Sequence, residues 1–150
     1  VGSEMCIRDR DIIEMARSIK KNWKINDPYE IATRLGISVI HTNSCVKDFT
    51  AHTIKMPGYP TTISINNKYS EKAKKILCAH ELGHALLHEQ CINYFATTSS
   101  NVMTNIEFEA NLFAVALLAD NDINMKLSIP LEKMNNYLLK TIMDYNISTN

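Results

Sequence analysis

The sequence predicts an α+β domain in which a small antiparallel β-sheet packs against α-helices. Two observations lead to this fold class: helical periodicity dominates both halves of the chain, and a compact group of β-rich segments lies between them. The chain has 150 residues, of which 45% are hydrophobic. That length is typical of one domain with its own core, and no repeat or low-complexity linker divides it.

The first ten residues differ from the rest of the chain. Residues 1–10 (VGSEMCIRDR) show neither helical nor strand periodicity, and they begin without Met. We expect them to be a non-native or disordered tail, and we expect residues 11–150 to form the domain.

Two helices are predicted before the sheet. The first covers residues 11 to about 22, because apolar side chains recur at helical spacing there, at Ile12, Met15, Ile19 and Trp23. The second begins after Asp27, which is a good N-cap residue followed by Pro28 at the first helical position. It should end at Gly36, a residue type that commonly terminates helices.

The sheet is predicted from three short segments. Residues 37–40 alternate as a strand does, and residues 50–56 and 61–66 form an antiparallel hairpin around a Pro-Gly turn. We expect the strand at 50–56 to lie at an edge, where it could pair with an extended peptide. Further helices are predicted at 71–89, 105–119 and from about 130 to 145.

Composition excludes several classes of function. The chain has 16 basic and 16 acidic residues, which argues against a nucleic-acid-binding protein and against a polybasic membrane-surface binder. It has no apolar run long enough to span a membrane and no signal-peptide core. Four cysteines lack the CxxC spacing of metal or redox motifs: Cys6, Cys45, Cys78 and Cys91. We therefore expect a cytoplasmic protein.

The helix at 71–89 carries the motif HExxH. His80 and His84 are four residues apart, so both imidazoles can reach one metal ion from the same helix face. Glu81 is rotated by roughly 100° from His80, so it can flank the metal and contact a bound water. The alternative is a pair of core histidines that are hydrogen-bonded without metal.

Two neighbouring residues of this helix carry further expectations. His88 lies about 12 Å from His80 along the helix axis, too far to bind the same ion, and is expected to be a cation near the last carbonyls. Gly83 is unfavourable inside a helix, so we expect another backbone or a substrate to approach closely there.

A third metal ligand is expected from the helix at 105–119. Glu107 is favoured over Glu109, although Glu107 could instead complete a capping box at the helix start. If Glu107 binds metal, Asn111 lies one turn later and can contact a ligand. Small side chains at Ala110 and Ala114 would let the two helices pack closely.

These motifs resemble those of the ImmA/IrrE family of zinc metallopeptidases, which are related to the gluzincins. The resemblance rests on HELGHALLH followed about twenty residues later by E-x-E-A-N-x-F-A, and it extends upstream to DPYEIATRLGISVI and TTISIN. It covers roughly residues 11–120. It implies a minimal zincin-like domain with the HExxH helix at its centre.

The resemblance also implies roles for individual residues. His80, His84 and Glu107 match the ligands of a single zinc ion, and Glu81 matches the catalytic glutamate. Asn111 falls where related gluzincins place an acidic residue that contacts a ligand. Zinc bound in this way would activate water for attack on a peptide bond, with Glu81 as the proton acceptor.

The implied biological role is limited proteolysis of a helix-turn-helix transcriptional repressor in phage, mobile-element or stress regulation. The alternatives are a catalytically silent module that sequesters a repressor or antitoxin, and a hydrolase acting on another amide. Direct nucleic-acid binding and membrane attachment are not expected. A second oxyanion donor is left open among His52, Tyr59, Tyr69 and Tyr94.

The chain departs from the family pattern near its C-terminal end. LLAD stands at 117–120 where the family often has LL-M-P, and DYNIS at 144–148 resembles a turn that usually precedes another helix. We therefore expect the domain to be truncated at its C-terminus.

Overall fold

The computed structural model describes residues 7–44, 50–88 and 100–118. Within these ranges, four helices and a three-stranded sheet confirm the α+β class. The elements in chain order are α1 (Ile7–Trp23), α2 (Pro28–Arg34), β1 (Ser38–Thr42), β2 (Ala51–Ile54), β3 (Thr62–Asn66), α3 (Glu71–Leu87) and α4 (Ser100–Leu118).

The sequence predicted the start of the second N-terminal helix correctly but not that of the first. Helix α1 begins at Ile7 rather than Asp11, so it includes four residues of the expected tail. The acidic Asp9 in its first turn favours a helix start, and this side chain is buried. Helix α2 has the predicted N-cap, because Asp27 Oδ1 accepts the N–H of Tyr29 at 3.1 Å. Gly36 follows that helix with a φ of +75°, a conformation that favours glycine.

The sheet is mixed, and this corrects the prediction of an antiparallel sheet. Its strand order is β1-β3-β2. The predicted hairpin of β2 and β3 is antiparallel, with Thr53 opposite Ile63, whereas β1 runs parallel to β3, with Val39 opposite Ile63. Alternation along a single strand indicates which face is buried but not the direction of its neighbour. The parallel pair could therefore not be read from the residues of β1.

Strand β3 is the central strand of this sheet and contributes several buried side chains to the core. Ile63 and Ile65 are completely buried, and their polar neighbours Ser64 and Asn66 are buried as well. Strand β2 is an edge strand of the described sheet, as predicted, and it lies against α3.

Helix α3 is the central helix of the described structure. Ser70 caps it as predicted, because its Oγ accepts the N–H of Ala73 at 3.2 Å. The buried residues of α3 cover most of its circumference, and it packs against α2, β2, β3 and α4. The helix ends at Leu87, and residue 89 lies outside the described residues.

Helix α4 begins at Ser100, earlier than the predicted residue 105. The capping-box pattern from Thr104 to Glu107 suggested a start there, but the helix continues through it. Helix α4 packs on both α3 and α1. The helix predicted from about 130 to 145 lies outside the described residues. None of the helices described here is both long and apolar enough to cross a membrane.

The crossing of α3 and α4 is very close at Gly83. A Cβ added at this position would lie 3.1 Å from Cα of Ala110 and 3.2 Å from Cβ of Phe113. This confirms the expected approach of another backbone. Because Gly83 lies between His80 and His84 on α3, the same crossing brings the adjacent turn of α4 to the two histidines.

Candidate metal centre

The HExxH histidines face Glu107 across the α3–α4 interface. The imidazoles of His80 and His84 are buried and meet edge to face, with ring centroids 4.7 Å apart. Oε2 of Glu107 lies 2.9 Å from Nε2 of His80, and its Oε1 lies 3.4 Å from Nε2 of His84. The structure thus brings together the three residues predicted as ligands, within 4.8 Å of one another.

The chemistry and spacing of this group fit a zinc ion. Two imidazole nitrogens and a carboxylate are ligands that zinc binds in open, catalytic sites. A tetrahedral centre with bonds of about 2.0–2.1 Å separates its ligand atoms by about 3.4 Å. The distances from Glu107 to the two imidazoles, 2.9 and 3.4 Å, are close to this value, and all three ligand atoms lie within 4.8 Å of one another. Buried imidazoles also need partners, and a metal supplies one to each.

The imidazole of His80 and the carboxylate of Glu107 shift each other's pKa values. Burial opposes protonation of His80, but the carboxylates of Glu107 and Glu81 outweigh it and raise the pKa of His80. Burial alone would raise the pKa of Glu107, but its hydrogen bonds with His80 and His84 hold that pKa well below its ordinary value. Glu107 is therefore a carboxylate anion at neutral pH, as a metal ligand must be.

Glu81 lies beside the group and is held by strand β2. Its carboxylate is buried, with Oε2 at 3.7 Å from Nε2 of His80. The hydroxyl of Thr53 lies 3.0 Å from Oε1 of Glu81 and 3.0 Å from its backbone carbonyl, so one side chain contacts Glu81 at both atoms. Thr53 was not singled out from the sequence, because its partner is 28 residues away and no local pattern links them.

His88 is not the cation near the last carbonyls of the helix that the sequence suggested, and that expectation was wrong. It is the C-cap of α3, and only 6% of its surface is exposed. Its Nδ1 lies 3.0 Å from Nδ1 of His84, and its Nε2 lies 2.9 Å from Oε1 of Glu109. Burial lowers the pKa of His88 and outweighs the opposing effect of Glu109. The side chain of His88 is buried because α4 packs against the end of α3.

Glu109, the alternative ligand, lies outside the three-residue group. Its carboxylate accepts hydrogen bonds from His88 and from Arg8 of α1. Burial alone would raise the pKa of Glu109, but these partners outweigh it and lower that pKa.

Asn111 lies next to the first histidine. It is completely buried, and its side chain interacts with His80 in a way that favours the protonated imidazole. Asn111 therefore lies beside one of the predicted ligands, and its role in holding that ligand stays a prediction.

The four candidates for a second oxyanion donor are scattered. His52 and Tyr69 are half-buried, and Tyr59 is 70% exposed in the turn between β2 and β3. Tyr94 lies outside the described residues. None of the first three belongs to the metal-binding group found among the described residues.

Comparison with known protein families identifies the domain. The family described as the IrrE N-terminal-like domain, peptidase family M78, matches residues 32–124, which is more than half of the chain. The chain belongs to this family. The match includes α3 and α4, and therefore every residue of the candidate metal centre. The resemblance noted in the sequence is thus confirmed at the level of the family.

One curated protein supports the same assignment. The "Uncharacterized immunity region protein 2" of Bacillus phage phi105 is 36% identical to this chain over 103 residues. The alignment covers 68% of this chain and 63% of the phage protein, so the chain spans less than two thirds of that relative. No solved structure matches the fold of this M78-family chain.

Proposed function

We propose that this protein is a zinc-dependent endopeptidase that cleaves a helix-turn-helix transcriptional repressor. The observation that carries the proposal is the convergence of His80, His84 and Glu107 beside the buried carboxylate of Glu81. Two imidazoles, a ligating carboxylate and a separate carboxylate base are the groups that metal-assisted peptide hydrolysis requires. Membership of a peptidase family agrees with this chemistry.

The chain's own residues divide the work between holding the metal and moving a proton. His80, His84 and Glu107 would hold zinc, which when bound supplies Lewis acidity for activating water and polarising a carbonyl group. Glu81 is held at Oε1 by Thr53, which leaves Oε2 facing the ligands. Oε2 would accept a proton from the attacking water and return it to the leaving amine.

The regulatory part of the proposal rests on the phage relative. That protein is named as an immunity region protein of a phage, and the resemblance to the ImmA/IrrE family implies a helix-turn-helix repressor as the substrate. A repressor is therefore the substrate class that we propose for this chain, with phage or mobile-element regulation as its setting.

Strand β2 offers a place for an extended substrate segment. Asn66 donates to the carbonyl of Thr50, and the antiparallel register alternates from there, so the backbone groups of Ala51 and Thr53 point away from β3. A substrate strand paired with them would pass beside Glu81. Ala51→Pro removes one outward N–H without breaking the β2–β3 hydrogen bonds. Cleavage should fall while the zinc content stays unchanged, and undiminished cleavage would refute docking on β2.

The first experiment measures zinc per chain in protein purified without added metal. Wild type and Glu30→Ala should each contain about one zinc, whereas Glu107→Ala should lose most of it. Glu30→Ala is the control, because it removes an exposed carboxylate on α2 that bonds to Arg34 and lies outside the group. A folded wild-type chain without zinc would refute the metal site and favour the sequestering module.

The second experiment separates a protease from a binding module. Glu81→Gln keeps the size of the side chain and its contact with Thr53 but removes the proton acceptor. When produced together with a repressor encoded near its gene, wild type should cleave that repressor at a defined site. Glu81→Gln should bind zinc and repressor but lose cleavage by at least 100-fold. Equal loss of repressor function with both proteins, without cleavage, would establish sequestration instead.

A further inference from the structure

We propose that His88 and Glu109 are positioning residues for metal binding, because their hydrogen-bonded chain holds the imidazole of His84 with Nε2 directed at the metal. This inference rests on the metal site proposed above. It concerns His88, which the sequence placed too far from His80 to bind the same ion, and Glu109, the less favoured candidate for the third ligand. It assigns both residues a role in preparing a ligand.

The geometry forms a continuous path from α4 to the second zinc histidine. Oε1 of Glu109 lies 2.9 Å from Nε2 of His88, and Nδ1 of His88 lies 3.0 Å from Nδ1 of His84. Nε2 of His84 then faces Glu107 at 3.4 Å. Each nitrogen of the two rings thus has a defined neighbour along the path.

If His84 binds a metal, the position of the proton on each imidazole ring determines the direction of every hydrogen bond in this path. The lone pair of Nε2 points to the metal, so the proton of a neutral His84 must be on Nδ1. His84 Nδ1–H then donates to Nδ1 of His88, which must accept. The proton of His88 therefore lies on Nε2, where the carboxylate of Glu109, which only accepts, receives it.

The backbone around His88 keeps this ring in place independently of the metal. Its N–H donates to the carbonyl of His84 at 2.9 Å. Its own carbonyl accepts from Nζ of Lys55, next to β2, at 2.7 Å. The far end of the path is held as well, since Arg8 donates to the carboxylate of Glu109. The path is therefore held at both ends, by α1 and α4 on one side and by the segment after β2 on the other.

The test measures zinc affinity by competition with a chromogenic chelator, using the full chain. His88→Leu removes both hydrogen bonds and should weaken zinc binding by about 10- to 100-fold, the usual effect of losing a partner of a ligating histidine. His41→Leu is the matched control, because His41 is exposed on β1 and contacts Tyr29, away from the site. It should bind zinc as tightly as wild type.

Two amide variants distinguish positioning from mere packing. His88→Asn keeps an acceptor at the place of Nδ1 and should restore most of the zinc affinity. His88→Gln keeps a donor at the place of Nε2, toward Glu109, but lacks that acceptor. It should bind zinc as weakly as His88→Leu. Equal affinities for these two amide variants would overturn the inference.

A spectroscopic measurement on wild type covers the case in which a variant does not fold. Long-range 1H–15N spectra of the zinc-loaded chain should show His84 protonated at Nδ1 and His88 protonated at Nε2. A proton on Nδ1 of His88 would overturn the inference while leaving the metal site intact. A wild-type chain that binds no zinc would overturn the proposed function, and the inference with it.

Discussion

At the scale of single residues, Thr53 has the most specific role outside the metal-binding group. Its hydroxyl is a hydrogen-bond donor to a buried carboxylate, and a hydrogen bond to a charged group contributes about 1.5–3 kcal/mol. If Glu81 needs this contact to hold its orientation during catalysis, its loss corresponds to roughly tenfold or more in rate.

We therefore expect Thr53→Val, which keeps the shape of the side chain, to lower the cleavage rate by about tenfold or more. Zinc content should not change, because Thr53 is not among the ligands. Thr33→Val is a suitable control, since Thr33 is exposed on α2 and its hydroxyl bonds to the carbonyl of Tyr29. The rate of repressor cleavage would be measured for Thr53→Val and Thr33→Val. Equal rates for these two variants would contradict the role of Thr53.

The residues that could be predicted from the sequence are those linked by local spacing. His80, Glu81 and His84 lie on one helical turn, so their proximity follows from helix geometry alone. Glu107 was favoured from the composition of its helix and from the resemblance. Thr53 and the buried position of His88 depend on which elements pack together, and neither has a signature along the chain.

At the scale of elements, the contact of α3 with α4 determines the geometry of the site. Gly83→Ala would gain about 1 kcal/mol of helix propensity. However, the new Cβ would lie 3.1–3.2 Å from two backbone atoms of Ala110 and from Phe113, and a packed helix backbone cannot yield locally. Overpacking of this kind costs about 1–3 kcal/mol, so the clash should prevail.

We expect Gly83→Ala to lower the melting temperature and also to weaken zinc binding, because α4 would carry Glu107 away from the histidines. Ala73→Gly is the control within the same helix, because it lowers helix stability by at most about 1 kcal/mol and adds no atom at the crossing with α4. Thermal melts and zinc titrations of both variants would separate the two effects. Zinc affinity equal to that of wild type in Gly83→Ala would argue against this geometry.

One strand pair of the sheet could be predicted from the sequence and the other could not. The hairpin of β2 and β3 was predictable because a short Pro-Gly turn joins adjacent segments. The pairing of β1 with β3 skips one strand in the sequence, so its parallel direction depends on how the whole chain packs. The predicted starts of α1 and α4 were wrong for a related reason. Both helices begin before the residues that show the strongest helical periodicity.

At the scale of the whole molecule, a metal bound between α3 and α4 would stabilise the fold. With free zinc at 100 times the dissociation constant, the stabilisation is about 2.7 kcal/mol. For a chain of this size, that corresponds to a rise of about 5–10 °C in melting temperature.

We expect a chelator to lower the melting temperature of wild type by this amount, and readdition of zinc to restore it. Glu107→Ala should show no comparable response. Scanning fluorimetry with and without chelator would measure the shift. A chelator effect of the same size in Glu107→Ala would place the stabilising ion elsewhere.

The packing of α1 on α4 has a consequence for the synthesis of the chain. Ile12, Ile13 and Ala16 of α1 are buried, and α1 packs chiefly on α4, with Arg8 bonded to a residue 101 positions later. At about 5–20 residues per second, a ribosome needs about 5–20 s to make the intervening chain. During that time the apolar face of the first helix lacks the native partner on which it chiefly packs. The newly made protein is therefore most exposed to aggregation, or to a chaperone, before its last described helix emerges.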